Sequence, residues 1–212
     1  YTVVMPLLLL VHSNPTSPPY FHGGKMMTFK PPYWYHDNIK FSKDEISELK
    51  SDFYKTHKLL KKEETNPRKD HLTSYFIRSE VLPDKHNDRY DKIIADIVKS
   101  VGLYEAVLYD YIYWIQLYEK QMRHNPHNHC FPIGHETRKY SDTIISWVHF
   151  INVPKKKCFR FTDNAGNTLI PDEQLSGDII AFPSWLWHEV LPNESNQERI
   201  VISGNISVNH YD

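Results

Sequence analysis

Cysteine, glycine and surplus charge are all scarce in this chain of 212 residues. Two cysteines, Cys130 and Cys158, cannot build a disulfide scaffold or a four-cysteine zinc site. They read as free thiols of a reducing compartment. Only seven glycines occur, and neither a GxGxxG loop nor a Walker GxxxxGK loop is present. The two common phosphate cradles are therefore excluded. Twenty-five basic residues face twenty-six acidic ones, so no global field draws the chain to nucleic acid or acidic lipid. The apolar run Val3–Val11, interrupted by Pro6, is too short to span a bilayer. It reads as a strand or arm rather than a signal-peptide core, since no basic segment precedes it. The chain begins at Tyr1, and Met26 and Met27 are candidate starts. Charged residues at 24% and aromatics at 14% fit a folded globule rather than disorder.

What is abundant is histidine, with thirteen copies. It is the commonest protein metal ligand. The order of elements decides which copies matter. Pro15, Pro18, Pro19, Pro31, Pro32 and the Gly23-Gly24 pair mark an extended arm over 1–40. From 41 to 212 the chain reads as a single domain. Residues 41–105 form a helical support and 106–212 a β core. Ser42 with Glu45 is a capping box, and Ile46, Leu49, Phe53 and Leu60 follow at helical spacing. The charge-rich stretch 61–70 reads as a surface loop. A second helix is expected over about 89–101, with Asp88 as its cap, Ile93, Ile94, Ile97 and Val98 on one face and Gly102 as its stop. After 106 the period approaches two. Strands are expected at 109–121, 143–153, 158–162, 178–183 and 199–208, with turns at Pro154, 163–167 and 176–178. Many short strands imply a sandwich or barrel.

His124, His127, His129 and His135 cluster just after the first long strand, and His188 follows the strand 178–183. On an extended chain, residues two apart face the same side, so His127 and His129 can grip one ion. His188 is the natural third ligand. Nitrogen ligands suit iron, zinc or manganese. On the last strand, alternation puts Arg199, Val201, Ser203 and Asn205 on one face and Ile200, Ile202 and Ile206 on the other. An arginine facing a barrel interior calls for an anion, and guanidinium suits a carboxylate.

These residues carry a resemblance. His127-x-His129, then Gly177-Asp178-Ile179-Ile180-Ala181-Phe182-Pro183-Ser184 leading to His188, then Arg199-Ile-Val-Ile-Ser203, resemble the Fe(II)/2-oxoglutarate-dependent oxygenases. The likeness is strongest to prolyl-hydroxylase-like members of phage and marine bacterial genomes, and it covers about residues 110–208. It implies a mainly β fold, a double-stranded β-helix (jelly roll, cupin-like) braced by N-terminal helices. It implies Fe(II), 2-oxoglutarate and O2 as cofactor and co-substrates, with release of succinate and CO2. It implies Arg199 as receptor of the distal carboxylate, with Ser203 as helper and Tyr118 reaching the co-substrate. A cytoplasmic location is expected, the host cytoplasm for a phage-encoded protein. The expected substrate is a small molecule or a protein side chain.

One departure stands out. The family's triad is His-x-Asp/Glu plus a distal His, and here the carboxylate position is His129. Asp142 or Glu136 are candidate carboxylates from the following segment, and His129 standing behind a ligand is a further alternative. The His-x-Asp matches at His86-Asn87-Asp88 and His210-Tyr211-Asp212 lie in the wrong context or order. Trp185 and Trp187 are expected to pack across the sandwich, with lining of a substrate mouth as the alternative. Gln116, Tyr118 and Trp114 share a face, and Asn205 faces either a ligand or a turn. Cys130 is not expected to ligate, and Lys155, Lys156 and Lys157 read as a solvated turn. The remaining histidines, His71, His86 and His149 among them, show no partner pattern. The other class of function open to the chain is a cupin-like metal- or ligand-binding protein without oxygenase activity, such as a sugar-binding or virion protein. Arg199 discriminates between them.

Overall fold

A computed structural model describes residues 33–62, 70–75, 86–101, 109–129, 141–163 and 165–209. The chain divides into two units, residues 1–30 and 31–212, and the described residues belong to the second. The Val3–Val11 run, most of the expected arm, Gly102, Cys130, His135, Glu136 and His210 lie outside the described residues.

The first described element is a strand, β1 (Trp34–Asn38), in a stretch that the sequence placed in the arm. Its polar side chains hid it, and they are tolerated because β1 lies at a sheet edge. Helix α1 (Lys43–Lys62) follows. Its capping box forms as expected: the Ser42 N–H donates to Glu45 Oε2 at 2.7 Å, and the Glu45 N–H donates to Ser42 Oγ at 3.2 Å. The Ser42 N–H, helped by Arg89, holds the Glu45 carboxyl down at about 2. Helix α2 (Asn87–Ser100) has His86, and not Asp88, at its N-cap position, and the His86 side chain makes no capping hydrogen bond. Asp88 instead lies in the first turn, where its charge still meets the positive end of the helix dipole.

Nine more strands build two sheets. They are β2 (Leu72–Thr73), β3 (Tyr109–Tyr118), β4 (His124–His127), β5 (Ser141–Asn152), β6 (Phe159–Thr162), β7 (Thr168–Leu169), β8 (Asp178–Pro183), β9 (His188–Val190) and β10 (Arg199–Asn209). The larger sheet runs β1-β8-β5-β10-β3-β2 and the smaller runs β4-β9-β6-β7. Every pairing is antiparallel. The expected order of helices first and strands later is therefore modified. β1 precedes α1, β2 lies between the helices, and both join the large sheet at its edges.

Alternation along β3 and β10 sorts two cores. Ile115, Leu117, Ile200, Ile202 and Ile206 face Leu49, Phe53, Ile93, Ile94 and Ile97 of the helices. Tyr118, Val148, Phe150 and Val201 face Phe159, Phe161 and Phe182. Each such aliphatic burial contributes about 1.5–3 kcal/mol. The helices thus brace the large sheet from outside, and the other face is left for the cavity between the sheets. At Gly204 the large sheet allows no side chain: a Cβ there would lie 2.5 Å from the Trp147 ring.

Candidate metal and co-substrate site

Antiparallel pairing of β4 and β9 sets His127 directly opposite His188. His129 follows two residues on, its backbone N–H donated to the Ser184 carbonyl at 2.9 Å. One ring nitrogen from each of His127, His129 and His188 lies within 4.8 Å of the other two.

Hydrogen bonds fix which nitrogens carry the proton. His127 Nδ1 is 2.8 Å from the Asn125 carbonyl, and His188 Nδ1 is 2.9 Å from the Leu186 carbonyl. A carbonyl only accepts, so both Nδ1 atoms carry the proton and Nε2 carries the lone pair that a metal ion would take. His129 Nδ1 lies 3.0 Å from the Asn205 side-chain amide, which also meets Ser146 Oγ at 2.9 Å. Amide oxygen and nitrogen exchange by a half-turn. In the structure the Asn205 Nδ2–H donates to His129 Nδ1 and the Ser146 hydroxyl donates to Asn205 Oδ1; after the half-turn Oδ1 accepts from His129 Nδ1–H and Nε2 carries the lone pair. Burial, reinforced by His127 and His129, pushes the His188 pKa well below its ordinary value. This nitrogen-only donor set fits a divalent transition ion. No carboxylate joins it among the described residues. Glu136 lies outside them, as does the Asp142 side chain.

Arg199 opens β10 opposite Tyr118 and is 3% exposed. Its Cζ sits 5.5 Å from the Tyr118 ring centroid. Both terminal nitrogens, Nη1 and Nη2, are buried without a hydrogen-bond partner. Burial pulls its pKa down. Unsatisfied buried charged groups cost about 1–3 kcal/mol or more, and an anion would remove that cost. The Ser203 hydroxyl donates to Gln116 Oε1 at 3.1 Å and the Tyr118 hydroxyl to the same atom at 3.3 Å. His127, His129, His188, Arg199, Ser203 and Tyr118 all line one cavity that opens to solvent.

Other expectations shift. Trp185 and Trp187 do not pack across the sandwich; both are more than 40% exposed, and neither lines the cavity. His71 was read as ordinary. It is buried, stacks on Tyr118 at 5.4 Å, meets the His124 ring at a tilt with centroids 4.1 Å apart, and has Asp70 at 3.3 Å. His124 in turn stacks on His127 at 3.9 Å. No sequence pattern announces this row, because only the β2–β3 pairing brings residue 71 to the site. Asn205 was undecided between two roles, and alternation alone held its signal: it shares the face of Arg199 and Ser203.

Residues 112–205 match the family described as "Putative 2OG-Fe(II) oxygenase". That stretch is a 2OG-Fe(II) oxygenase domain. It contains β4, β9 and most of β3 and β10, and with them all three clustered histidines and Arg199. Among solved structures, the domain's chain is similar to SnoN, a non-heme alpha ketoglutarate dependent epimerase from nogalamycin biosynthesis. The TM-score is 0.56 at 14% identity, covering 83% of this chain and 77% of that one. It is similar to the viral collagen prolyl hydroxylase vCPH of Paramecium Bursaria Chlorella virus-1, with TM-score 0.54 at 15% identity, covering 89% and 99%. It is also similar to a Pseudomonas putida prolyl-4-hydroxylase, with TM-score 0.50 at 17% identity, covering 85% and 94%. These likenesses establish the fold, a double-stranded β-helix with two bracing helices. No curated protein matches the chain by sequence. No described helix is long and apolar enough to cross a membrane.

Proposed function

We propose that His127, His129 and His188 each hold Fe(II) through one ring nitrogen and that Arg199 takes the distal carboxylate of 2-oxoglutarate. The chain is then a 2-oxoglutarate-dependent dioxygenase of the hydroxylase type, acting on a small molecule or a protein side chain. The carrying observation is Arg199, a buried guanidinium with two unpartnered nitrogens in the same cavity as the histidine cluster. Bound iron supplies O2 activation, coupling decarboxylation of 2-oxoglutarate to succinate and CO2 with oxidation of the substrate.

The chain's own groups do the rest. The Asn125 and Leu186 carbonyls hold His127 and His188 in the Nδ1–H tautomer, and the Asn205 amide orients the His129 ring. Gln116 gathers the Ser203 and Tyr118 hydroxyls beside the co-substrate path. Phe159, Phe182 and Val190 keep the cavity wall apolar and exclude water. A cytoplasmic setting belongs to the same proposal, supported by the free thiol of Cys158.

The neutral donor set is the one observation on the side of a metal-binding module without oxygenase activity. A module of that kind has no use for the buried, unpartnered guanidinium of Arg199. The test is consumption of 2-oxoglutarate by iron-loaded protein in air. The expected result is succinate formed in step with 2-oxoglutarate lost, dependent on Fe(II). Absence of any 2-oxoglutarate turnover, with iron bound, overturns the proposal.

A further inference from the structure

Trp114 sits on β3 in the row Trp114, Gln116, Tyr118 that faces the cavity. Its side chain is buried, at 5% exposure, and its ring lies 5.9 Å from that of His129. The Tyr75 ring packs edge-on against it at 4.9 Å and holds it in place. Its indole Nε1–H is buried with no hydrogen-bond partner. Its neighbours in the wall are spoken for: Gln116 accepts from Ser203 and Tyr118, and Asn205 joins Ser146 to His129. A buried donor without a partner costs about 1–3 kcal/mol, which a ligand oxygen would recover.

That oxygen is not the one Arg199 receives. Trp114 is paired with Ser203 and Tyr118 with Arg199, so the two sites stand four residues apart along the ladder. At about 3.3 Å per residue this is roughly 13 Å of strand. The Trp114 donor therefore serves an oxygen other than that carboxylate, on the histidine side of the cavity.

Charge says what kind of ligand supplies it. The described wall contains two cations, Arg199 and Lys156, and no carboxylate. Lys156 is neutralised by Glu194 at 2.7 Å. Three neutral imidazoles leave the two charges of a divalent ion intact, and Arg199 adds a third. 2-Oxoglutarate returns two negative charges, so among the described residues one positive charge is left in a largely apolar cavity. Such a site favours a ligand that neutralises it.

We propose that the substrate of this enzyme is an anion, and that it sets a carboxylate or phosphate oxygen against the Trp114 indole N–H beside His129. Trp114 is then a specificity-determining residue. The proposal names the substrate class of the dioxygenase reading above and rests on it.

The test uses protein loaded with Zn(II), a diamagnetic and redox-inert ion, and saturated with 2-oxoglutarate, with its indole nitrogens labelled for NMR. The Trp114→Phe variant identifies the Trp114 indole signal. Acetate, inorganic phosphate and the neutral acetamide are titrated in turn. The expected result is a downfield shift of the Trp114 N–H with acetate or phosphate, saturating at a concentration at least tenfold below that for acetamide. Trp114→Phe should weaken the preferred anion at least fivefold while 2-oxoglutarate affinity stays unchanged. Acetate against phosphate separates the two sources of the oxygen. Equal binding of acetamide, or an indole signal that no anion moves, overturns this proposal alone if 2-oxoglutarate still binds. Failure of 2-oxoglutarate to bind the same samples overturns the dioxygenase reading and this proposal with it.

Discussion

Arg199 and Asn205 share one face of β10 and carry different predictions. Replacing Arg199 with Ala removes the charged donor and leaves the histidine cluster intact. Charge-assisted hydrogen bonds contribute about 1.5–3 kcal/mol each, so co-substrate affinity should fall by on the order of 100-fold. Metal affinity should stay within about threefold of the wild type, a margin of roughly 0.6 kcal/mol. Calorimetric titration of each ligand checks both halves, and parallel loss of the metal would count against the assigned role. Asn205→Ala does the reverse. It frees the His129 ring, whose Nδ1 now meets the amide at 3.0 Å. Loss of a group that orients a ligand typically costs 10–100-fold in metal affinity. Competition with a chromogenic chelator measures it, and unchanged affinity would show that Asn205 does not set the ring. The contrast also shows what was readable. His127, His129, His188 and Arg199 stand out because spacing and strand period place them without a structure. The tautomer of His129 does not, since it depends on an amide 76 residues away.

Elements bring two further consequences. The β10–β5 ladder pairs Gly204 with Trp147, and the indole occupies the space of the missing side chain. Gly204→Ala therefore overpacks a wall whose tryptophan is fully buried and cannot yield. A loss of about 1–3 kcal/mol is expected from the urea midpoint, with unchanged m. His149 ties β5 to α2 and to the residue after β1. Its Nε2–H donates to the Ile39 carbonyl at 2.7 Å, and its Nδ1 accepts from the Tyr90 hydroxyl at 2.9 Å. Burial pushes its pKa down to about 4. The unfolded chain, with an ordinary histidine, therefore binds a proton first as pH falls below about 6.5. Its share of stability is complete above that value and is lost on acidification toward pH 4. Urea midpoints at pH 7 and pH 5 should separate more for wild type than for His149→Gln; equal separations would remove His149 as the cause. Sequence periodicity found both helices and the five main strands. It missed β1, β2, β4, β7 and β9, which are short and are defined by their partners rather than by their own pattern.

The whole molecule turns on one cavity between two sheets, with the histidine cluster joining β4 and β9 of the small sheet. An ion bound only by the folded chain adds stability by mass action, about 2.7 kcal/mol at a hundredfold excess over its Kd. Chelation should lower the Tm, and adding Fe(II) under nitrogen should restore it. A Tm indifferent to both would separate the cluster from metal binding. A sandwich or barrel was legible from strand period alone, and the family resemblance of the histidine and Arg199 motifs narrowed it to a jelly roll. The meeting of His71, His124 and His127 was not, being a product of strand pairing across the fold. The most direct test of the account is an anaerobic titration of Fe(II)-loaded protein with 2-oxoglutarate, followed by visible absorbance. A metal-to-ligand charge-transfer band should grow to one equivalent, vanish in His188→Ala and require far more ligand in Arg199→Ala. Iron that binds yet gives no band with 2-oxoglutarate, or a band that is indifferent to Arg199→Ala, would contradict it.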